Sequence, residues 1–216
     1  MWSSLIILLI LYLVYASYYI GSGVYVKAIC KPDAPGVVLT FDDGVDEIQT
    51  PKVLDVLKKY DAKAIFFIIG EKAEKHPHLV QRIVAEGHKI GIHSYTHKPI
   101  FPILAYDNMH KEVWDTKEIL EKITGETVDL FRPPFGVTNP NVGKVVEELN
   151  LKTIGWNIRS LDTNMSQDRL QVAERVSKKL TGRDIILLHD DRQGSEILLE
   201  ALLKNIEKLG HKVTLL

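Results

Sequence analysis

Two neighbouring carboxylates at the end of an apolar run are the first residues of this sequence that could do chemistry. Asp42 and Asp43 follow the run 37–41 and precede Gly44. Burying two adjacent carboxylates raises their pKa values and costs free energy unless a cation or hydrogen bonds compensate. A metal ion would supply that compensation, with one Asp as a ligand and the other free for proton transfer. The alternative is a strand-end turn, where Asp and Gly are common.

Two histidines four positions apart extend this hypothesis. The imidazoles of His93 and His97 could reach one ion from a single helical turn or a tight loop. Together with Asp43 they would form a set of two histidines and one carboxylate. Three protein ligands leave positions open for water and substrate, which is typical of catalytic metal sites. A solvated pair of surface histidines is the alternative.

Two further charged side chains follow apolar strands. Arg132 precedes two prolines, and a buried Arg needs an anionic partner, for which Asp42 is the natural candidate. The prolines would stiffen the loop and hold the N–H group of Phe135 at a fixed angle. His189 follows the apolar run 185–188. A surface proline turn and a structural histidine are the alternatives here.

Hydrophobic periodicity predicts the elements that position these residues. From residue 37 onward, strand-like and helix-like segments alternate. Six amphipathic helices are predicted; the first has Thr50 as its N-cap, and the longest covers about 107–124 and stops at Gly125. The predicted strands are 37–41, 64–69, 89–92, 128–131, 152–156, 184–188 and 212–215.

This alternation predicts an α/β fold of parallel strands joined by crossover helices. An open doubly wound sheet and a closed barrel both fit, and in both architectures chemistry collects at the carboxyl ends of the strands. No glycine fingerprint for a nucleotide follows the first strand, so we expect no nucleotide cofactor. A distorted (β/α) barrel of about seven parallel strands is the better interpretation.

Composition excludes two classes of function. The chain has 216 residues, a formal net charge of −1 and a sequence pI near 6.7, so it has no basic footprint for nucleic acid. Cys30 is the single cysteine, which excludes an intrachain disulfide and a cysteine zinc cluster.

The N-terminal segment 1–26 has no charged side chain, and residues 5–11 are continuously aliphatic. A membrane-spanning helix needs about 20 such residues, so one N-terminal transmembrane helix is expected here. A signal segment that is cleaved is the alternative. A linker over 27–36 and a catalytic domain over 37–216 would follow. Lys27 and Lys31 indicate the membrane orientation only weakly.

Five segments together resemble the ordered motifs of the polysaccharide deacetylases, carbohydrate esterase family four. They are Thr40-Phe41-Asp42-Asp43-Gly44, His93-Ser94-Tyr95-Thr96-His97, Arg132-Pro133-Pro134-Phe135-Gly136, the segment from Trp156 to Asp162, and Leu187-Leu188-His189. The resemblance runs from about residue 36 to the C-terminus. It implies a distorted (β/α) barrel and the metal-dependent removal of an acetyl group from an N-acetylated sugar.

The resemblance also implies a role for each residue of the first motifs. Asp43, His93 and His97 would hold a divalent metal, usually zinc. Asp42 would be the general base that accepts a proton from the attacking water, and Arg132 would orient it.

The later motifs would supply the acid and the substrate side of the site. His189 would be the general acid that protonates the leaving amine, and Asp162 would keep it charged. The backbone N–H of Phe135 would help to bind the oxyanion. Leu187 and Trp156 would also lie on the substrate side.

The resemblance implies a zinc-dependent N-acetylglucosamine deacetylase. The expected substrate is an acetylated glycan, with peptidoglycan as the first candidate and chitin-like oligosaccharides as the second. The catalytic domain would then lie outside the cytoplasmic membrane, anchored by the N-terminal helix. Two alternatives stay open. One is an esterase that removes O-acetyl groups from a xylan-type polysaccharide, and the other is a catalytically silent glycan-binding protein of the cell envelope.

Departures from the family pattern concentrate around the fourth motif. The family often carries an additional Asp and a Trp there, whereas this chain has Arg159 and Thr163 around Asp162. Phe135 stands where Tyr is commoner, and Val45 follows Gly44 in place of Pro. We therefore expect the sugar-contacting groove to differ more than the chemistry.

Overall fold

The computed structural model describes residues 2–216, with side chains from residue 4 onward. Eight strands, all parallel, form one continuous sheet in the order β1-β6-β5-β4-β3-β2-β8-β7. The strands are β1 (Ala28–Ile29), β2 (Gly36–Asp42), β3 (Ala64–Ile68), β4 (Lys89–Ile92), β5 (Leu130–Phe131), β6 (Lys152–Ile154), β7 (Ile158–Arg159) and β8 (Arg183–His189). Among the described residues β7 and β1 do not pair, so the barrel stays open between them.

The two longest strands, β2 and β8, lie side by side. Their sequences, GVVLTFD and RDIILLH, are apolar on both faces, as expected for strands of a parallel sheet that is covered on both sides. Seven residue pairs join them in register, from Gly36 with Arg183 to Asp42 with His189. This register places the predicted base and the predicted acid next to each other at the carboxyl end of the sheet.

Packing on the inner face shows that the sheet curls. Ile154 of β6 and Ile185 of β8 belong to one buried cluster, although four strands separate β6 from β8 in the sheet. Val38, Ile65 and Phe67 complete this cluster. The α/β class and the distorted barrel are therefore confirmed, with eight strands in place of about seven.

Helices cover the outer face of the sheet, where a larger apolar cluster joins them to the strands. They are α2 (Gln49–Lys59), α3 (Gly70–Lys75), α4 (Pro77–Ala85), α5 (Tyr106–Thr124), α6 (Pro140–Glu148), α7 (Arg169–Ser177) and α8 (Ser195–Lys208). The first helix, α1 (Trp2–Tyr18), is not part of this layer, because its residues 4–15 are exposed. The longest predicted helix is confirmed as α5. It ends at Gly125, whose φ of 73° lies in the left-handed region that favours glycine.

Several predicted elements differ from the structure. The strand predicted at 212–215 is wrong, because Val213 forms only an isolated bridge with Val37. The two-residue strands β1 and β7 and the short helix α3 were not predicted, since such short segments carry too little periodicity. Thr50 is not an N-cap: it lies inside α2, buried, and its hydroxyl accepts a hydrogen bond of 2.8 Å from the N–H of Asp46.

The N-terminal segment forms α1, which ends at Tyr18 and is followed by a 3-10 turn over Ile20–Ser22. Ala16 and Ile20 are buried against the domain, and the N–H of Thr138 donates to the carbonyl of Ser17 at 2.9 Å. Within residues 2–216, no helix has both the length and the apolarity that crossing a membrane requires. The expected transmembrane helix over 1–26 is therefore not supported. Met1 lies outside the described residues.

Candidate active site

The predicted metal ligands meet at the carboxyl ends of β2 and β4. Asp43 Oδ1 lies 3.4 Å from His93 Nε2 and 3.4 Å from His97 Nε2. Two ligands held at about 2.0–2.1 Å from a tetrahedral ion are about 3.3–3.4 Å apart, so these separations fit one ion between the three atoms. The donor set of one carboxylate and two imidazoles suits a transition metal such as zinc.

The two imidazoles are prepared for ligation. His93 Nδ1 lies 2.8 Å from the carbonyl of Arg132, which accepts a hydrogen bond from Nδ1–H and so leaves Nε2 free of a proton. Burial is the largest cause that lowers the pKa of His97 to about 4, and the neighbouring His93 is the second, so the His97 ring is neutral near pH 7. Burial alone would raise the pKa of Asp43, but the neighbouring histidines His93, His97 and His189 hold it well below its usual range.

The segment from His93 to His97 forms a tight loop, which was one of the two conformations expected for it. Glu112 of α5 holds this loop, because its carboxylate accepts hydrogen bonds from the N–H groups of Tyr95 and Thr96 at 3.0 and 2.8 Å. A third bond of 2.8 Å comes from the Thr96 hydroxyl. The long helix therefore fixes the distance between the two histidines.

Left-handed backbone conformations also concentrate around this site. Seven described residues other than glycine have a positive φ between 46° and 68°. Five lie in loops at the carboxyl ends of the strands: Asp43, Ser94, His97, Phe135 and Leu161. Each such conformation costs on the order of 1 kcal/mol, and such residues cluster at functional sites.

Arg132 and Asp42 form a buried ion pair, as the sequence predicted. The guanidinium is 0% exposed, and its Nη1 donates to Asp42 Oδ1 at 2.7 Å and to the hydroxyl of Thr40 at 2.8 Å. Its other nitrogens donate to the carbonyls of Ile154 and Gly155 at 2.9 and 2.8 Å. A buried charge is tolerated only when it is paired and hydrogen-bonded, and this arrangement meets both conditions. The second carboxylate oxygen of Asp42 points toward His93.

His189 pairs with Asp162 on the other side of the site. Its Nδ1 lies 2.7 Å from Asp162 Oδ1, and its backbone N–H donates to Asp162 Oδ2 at 2.9 Å. Burial would lower the pKa of His189, but the hydrogen bond and the charge of Asp162, helped by Asp42 and Asp43, raise it to about 9. The ring is therefore protonated near neutral pH, as a general acid requires.

A cavity of about 310 Å³ opens above these groups. Trp156, Leu187 and Phe135 line it, as do the predicted metal ligands. Gly136 allows Trp156 to approach, because a Cβ at Gly136 would lie 2.3 Å from the indole ring. A larger cavity of about 700 Å³ lies at the opposite ends of the strands, and none of the predicted site residues lines it. The smaller cavity is the candidate active site.

The sequence did not predict the role of Arg192. Its Nη2 donates to Asp43 Oδ2 at 2.9 Å, so the two oxygens of Asp43 have separate partners. Lys72 approaches from α3, where its Nζ donates to the carbonyl of Asp43 at 2.6 Å and pairs with Asp191 at 2.9 Å. The position of Arg192, three residues after His189 at a strand end, was the signal that could have indicated it.

Asp190 and Thr50 join two of the active-site loops beneath the cavity. The hydroxyl of Thr50 donates to Asp190 Oδ2, and Asp190 is fully buried. Burial, reinforced by the charge of Asp191, raises the pKa of Asp190 to about 7. Gly44 packs directly on this carboxyl, because a Cβ there would lie 2.4 Å from Asp190 Oδ1. The loop after Asp43 is thus held against the loop after His189.

Thr50→Val should lower the free energy of unfolding by about 1–3 kcal/mol, because the buried Asp190 loses its hydroxyl partner. Urea unfolding followed by circular dichroism at pH 5 measures this change. Thr127→Val is the matched control, since Thr127 is exposed and its hydroxyl has no protein partner among the described residues. Equal stabilities of the two variants would contradict the structural role assigned to Thr50.

Comparison with known proteins identifies the family. The family model described as polysaccharide deacetylase matches residues 30–154. A peptidoglycan-N-acetylglucosamine deacetylase of Bacillus cereus is 34% identical over 181 residues, which cover 82% of this chain and 84% of that protein. The peptidoglycan-N-acetylmuramic acid deacetylase PdaA of Bacillus subtilis is 33% identical over 178 residues, covering 81% of this chain and 67% of that protein.

Similarity to solved structures extends to a protein without activity. Wild-type BA3943 of Bacillus anthracis, described as a CE4 family pseudoenzyme, superposes with a TM-score of 0.80 at 27% identity and covers 87% of this chain and 66% of its own. Three other matched deacetylases are longer proteins. The aligned regions cover 50%, 38% and 41% of their lengths. From the family match and the identity to the Bacillus cereus enzyme, this chain belongs to the polysaccharide deacetylase family.

Proposed function

We propose that this protein is a metal-dependent hydrolase that removes acetyl groups from N-acetylated sugars of a glycan, with peptidoglycan as the first candidate and a chitin-like oligosaccharide as the second. One observation carries the proposal: Asp43 Oδ1 lies 3.4 Å from Nε2 of both His93 and His97, beside Asp42 and His189 in one cavity. The names of the Bacillus relatives as peptidoglycan deacetylases support the choice of glycan.

Asp43, His93 and His97 would hold the metal, and zinc is the proposed ion because imidazole and carboxylate ligands suit it. A bound divalent cation supplies polarisation of the acetyl carbonyl and a lower pKa for water. The side chains around the metal site would transfer the protons and orient the acetyl group.

Proton transfer is divided between the two sides of the cavity. Asp42 accepts a proton from the attacking water through the oxygen that Arg132 leaves free. His189, protonated because of Asp162, donates a proton to the nitrogen of the leaving amine. Both groups stay in place during the reaction, because each is held by a buried partner.

The substrate side of the cavity orients the acetyl group. The backbone at Phe135 has φ 61° and ψ 1°, and its N–H is proposed as a donor to the developing oxyanion. Leu187 and Trp156 provide apolar walls against which the methyl group can pack.

Acetate release tests the proposal directly. The purified protein should release acetate from N-acetylglucosamine oligomers or from peptidoglycan. Treatment with a chelator should abolish the release, and added zinc should restore it. The metal content before and after chelation provides a readout that is independent of turnover. Metal-loaded protein that releases no acetate from either glycan would contradict the proposal.

A catalytically silent glycan-binding protein is the second candidate, and the similarity to the Bacillus anthracis pseudoenzyme favours it. This chain retains the base, the acid and all three metal ligands that the family resemblance assigns. Metal-free protein that binds glycan and releases no acetate after zinc is added would favour the silent role.

The catalytic domain is proposed to work outside the cytoplasmic membrane, because peptidoglycan lies there. The uncharged segment 1–26 would direct its export. External protease should therefore digest the domain in intact cells or protoplasts. A domain that is protected until the cells are lysed would contradict this location.

A further inference from the structure

Arg159 is a positively charged residue at the cavity whose guanidinium has no partner in the described part of the chain. It ends β7 at the edge of the sheet, lies exposed, and lines the cavity together with His189 and the metal ligands. In the described part of the chain, no carboxylate lies within ion-pair distance of its guanidinium and no hydrogen bond engages it. An exposed, unpaired Arg at a binding cavity is available for a ligand.

The carboxylates of the cavity do not need Arg159. Asp42 pairs with Arg132 at 2.7 Å, and Asp43 pairs with Arg192 at 2.9 Å. A divalent ion at the predicted site would add further positive charge. Arg159 is therefore an excess positive charge, and a cavity with such an excess attracts an anion.

Arg192 is a second cation on the wall of the same cavity. Its side chain is 35% exposed, while Asp43 holds Nη2 and the Nε lies 3.1 Å from Asp191 Oδ1. Arg192 is thus fixed in orientation, whereas Arg159 is free to reach a ligand.

The position of Arg159 relative to the acid indicates where the anion would lie on the sugar. Arg159 pairs in register with Leu187, which is two residues before His189 on β8. Two strand residues span about 7 Å. Arg159 and His189 both line the cavity, so a carboxylate bound by Arg159 would lie near the amine on C2 of the sugar that His189 would protonate.

We propose that Arg159, with Arg192 on the wall of the same cavity, forms a subsite for a carboxylate next to the acetamido group, so that the preferred substrate is a glycan containing N-acetylmuramic acid with a free lactyl carboxylate. The lactyl group is an ether on C3, directly beside the acetamido carbon. A guanidinium binds a carboxylate through two parallel hydrogen bonds, which explains an Arg at this position. This inference rests on the proposed deacetylase function.

Arg159→Gln tests the subsite. The substrates are two glycan tetramers of alternating N-acetylglucosamine and N-acetylmuramic acid that differ only in charge: one has free lactyl carboxylates and the other has them capped as amides. The ratio of kcat/KM for the free to the capped tetramer should fall about fivefold or more in Arg159→Gln, as expected for the loss of an ion pair of about 1 kcal/mol. Arg159→Lys should recover part of the ratio.

Lys208→Gln is the matched control, because it removes one exposed charge from the last turn of α8, away from the cavity. Its ratio should equal that of the wild-type protein. Added salt should lower the wild-type ratio, since mobile ions screen an exposed ion pair. The same ratio in Arg159→Gln and Lys208→Gln would overturn the subsite.

The experiment distinguishes failure of the proposed deacetylase function from failure of the Arg159 subsite. If the wild-type protein releases acetate from neither tetramer, the function fails, and equilibrium binding of the same tetramers can be measured without turnover. The Kd for the free tetramer should then rise about fivefold in Arg159→Gln while the Lys208→Gln value stays at the wild-type level. Equal Kd values in the two variants would overturn the subsite in that case too.

Discussion

Asp43→Ala should remove the bound metal and the acetate release together, whereas Asp42→Asn should keep the metal and lose turnover. Asp43 Oδ1 lies 3.4 Å from both imidazole nitrogens, so its loss removes one of three ligands. Asp42 Oδ1 is engaged by Arg132 at 2.7 Å, and its other oxygen is 3.9 Å from His93 Nε2. The two adjacent carboxylates therefore have different partners and different expected behaviour.

The expected magnitudes differ accordingly. The metal content should fall from about one equivalent in the wild-type protein to near zero in Asp43→Ala, since two imidazoles alone hold an ion weakly. Asp42→Asn should lower kcat by about 10²–10⁴-fold, the usual contribution of a positioned general base. Elemental analysis after dialysis against zinc measures the first quantity, and acetate release measures the second.

Folding must be measured in the same preparations, because Asp42 is the anionic partner of a fully buried Arg. Breaking a buried ion pair costs about 3–5 kcal/mol. In Asp42→Asn the amide oxygen can still accept the bond from Arg132, which keeps its hydrogen bonds to Ile154 and Gly155. Circular dichroism and thermal unfolding establish that the variant is folded. If both folded variants lost zinc equally, the division of roles between the two carboxylates would be wrong.

Asp162→Asn should move the alkaline limb of the pH profile of kcat to lower pH by more than one unit. The pKa of His189 is raised to about 9, and Asp162 is the largest cause that raises it. Without that charge, burial lowers the pKa toward or below its ordinary value of about 6.5. His189 must be protonated to act as the acid, so less of the variant is active as pH rises.

The fall in kcat that Asp162→Asn causes is therefore larger at pH 8 than at pH 6. At pH 8 we expect kcat to fall about 10²-fold, which is at the low end of the effect of a general acid. Asp33→Asn is the matched control, because Asp33 is an exposed carboxylate in the linker. A uniform loss across the pH range would assign Asp162 a role in positioning alone.

The pair of His189 and Asp162 also contributes to the stability of the folded protein, and this contribution depends on pH. A histidine whose pKa is raised on folding contributes stability that is fully present below its unfolded pKa of about 6.5 and is lost as pH rises through about 9. An aspartate whose pKa is lowered, as for Asp162, contributes stability that is present above its unfolded value and lost in acid. The pair is therefore most stabilising between these limits, which is also the range in which His189 can act as the acid.

The sequence by itself determined the order of the elements and the residue types at the site. Long segments such as α5, and the central strands β2 and β8, are encoded by periodicity, because burial of one face repeats along the chain. The rule that chemistry collects at the carboxyl ends of parallel strands then selects Asp42, Asp43 and His189. Very short elements carry too little periodicity, so β1, β7 and α3 were not predicted.

Only the tertiary structure decided which atoms meet. The register of β2 with β8 places Asp42 beside His189, and the loop geometry assigns one oxygen of Asp43 to the imidazoles and the other to Arg192. It also decided that Thr50 supports Asp190 inside the domain rather than capping a helix. Such contacts join residues that are far apart in the chain, and local periodicity contains no information about them.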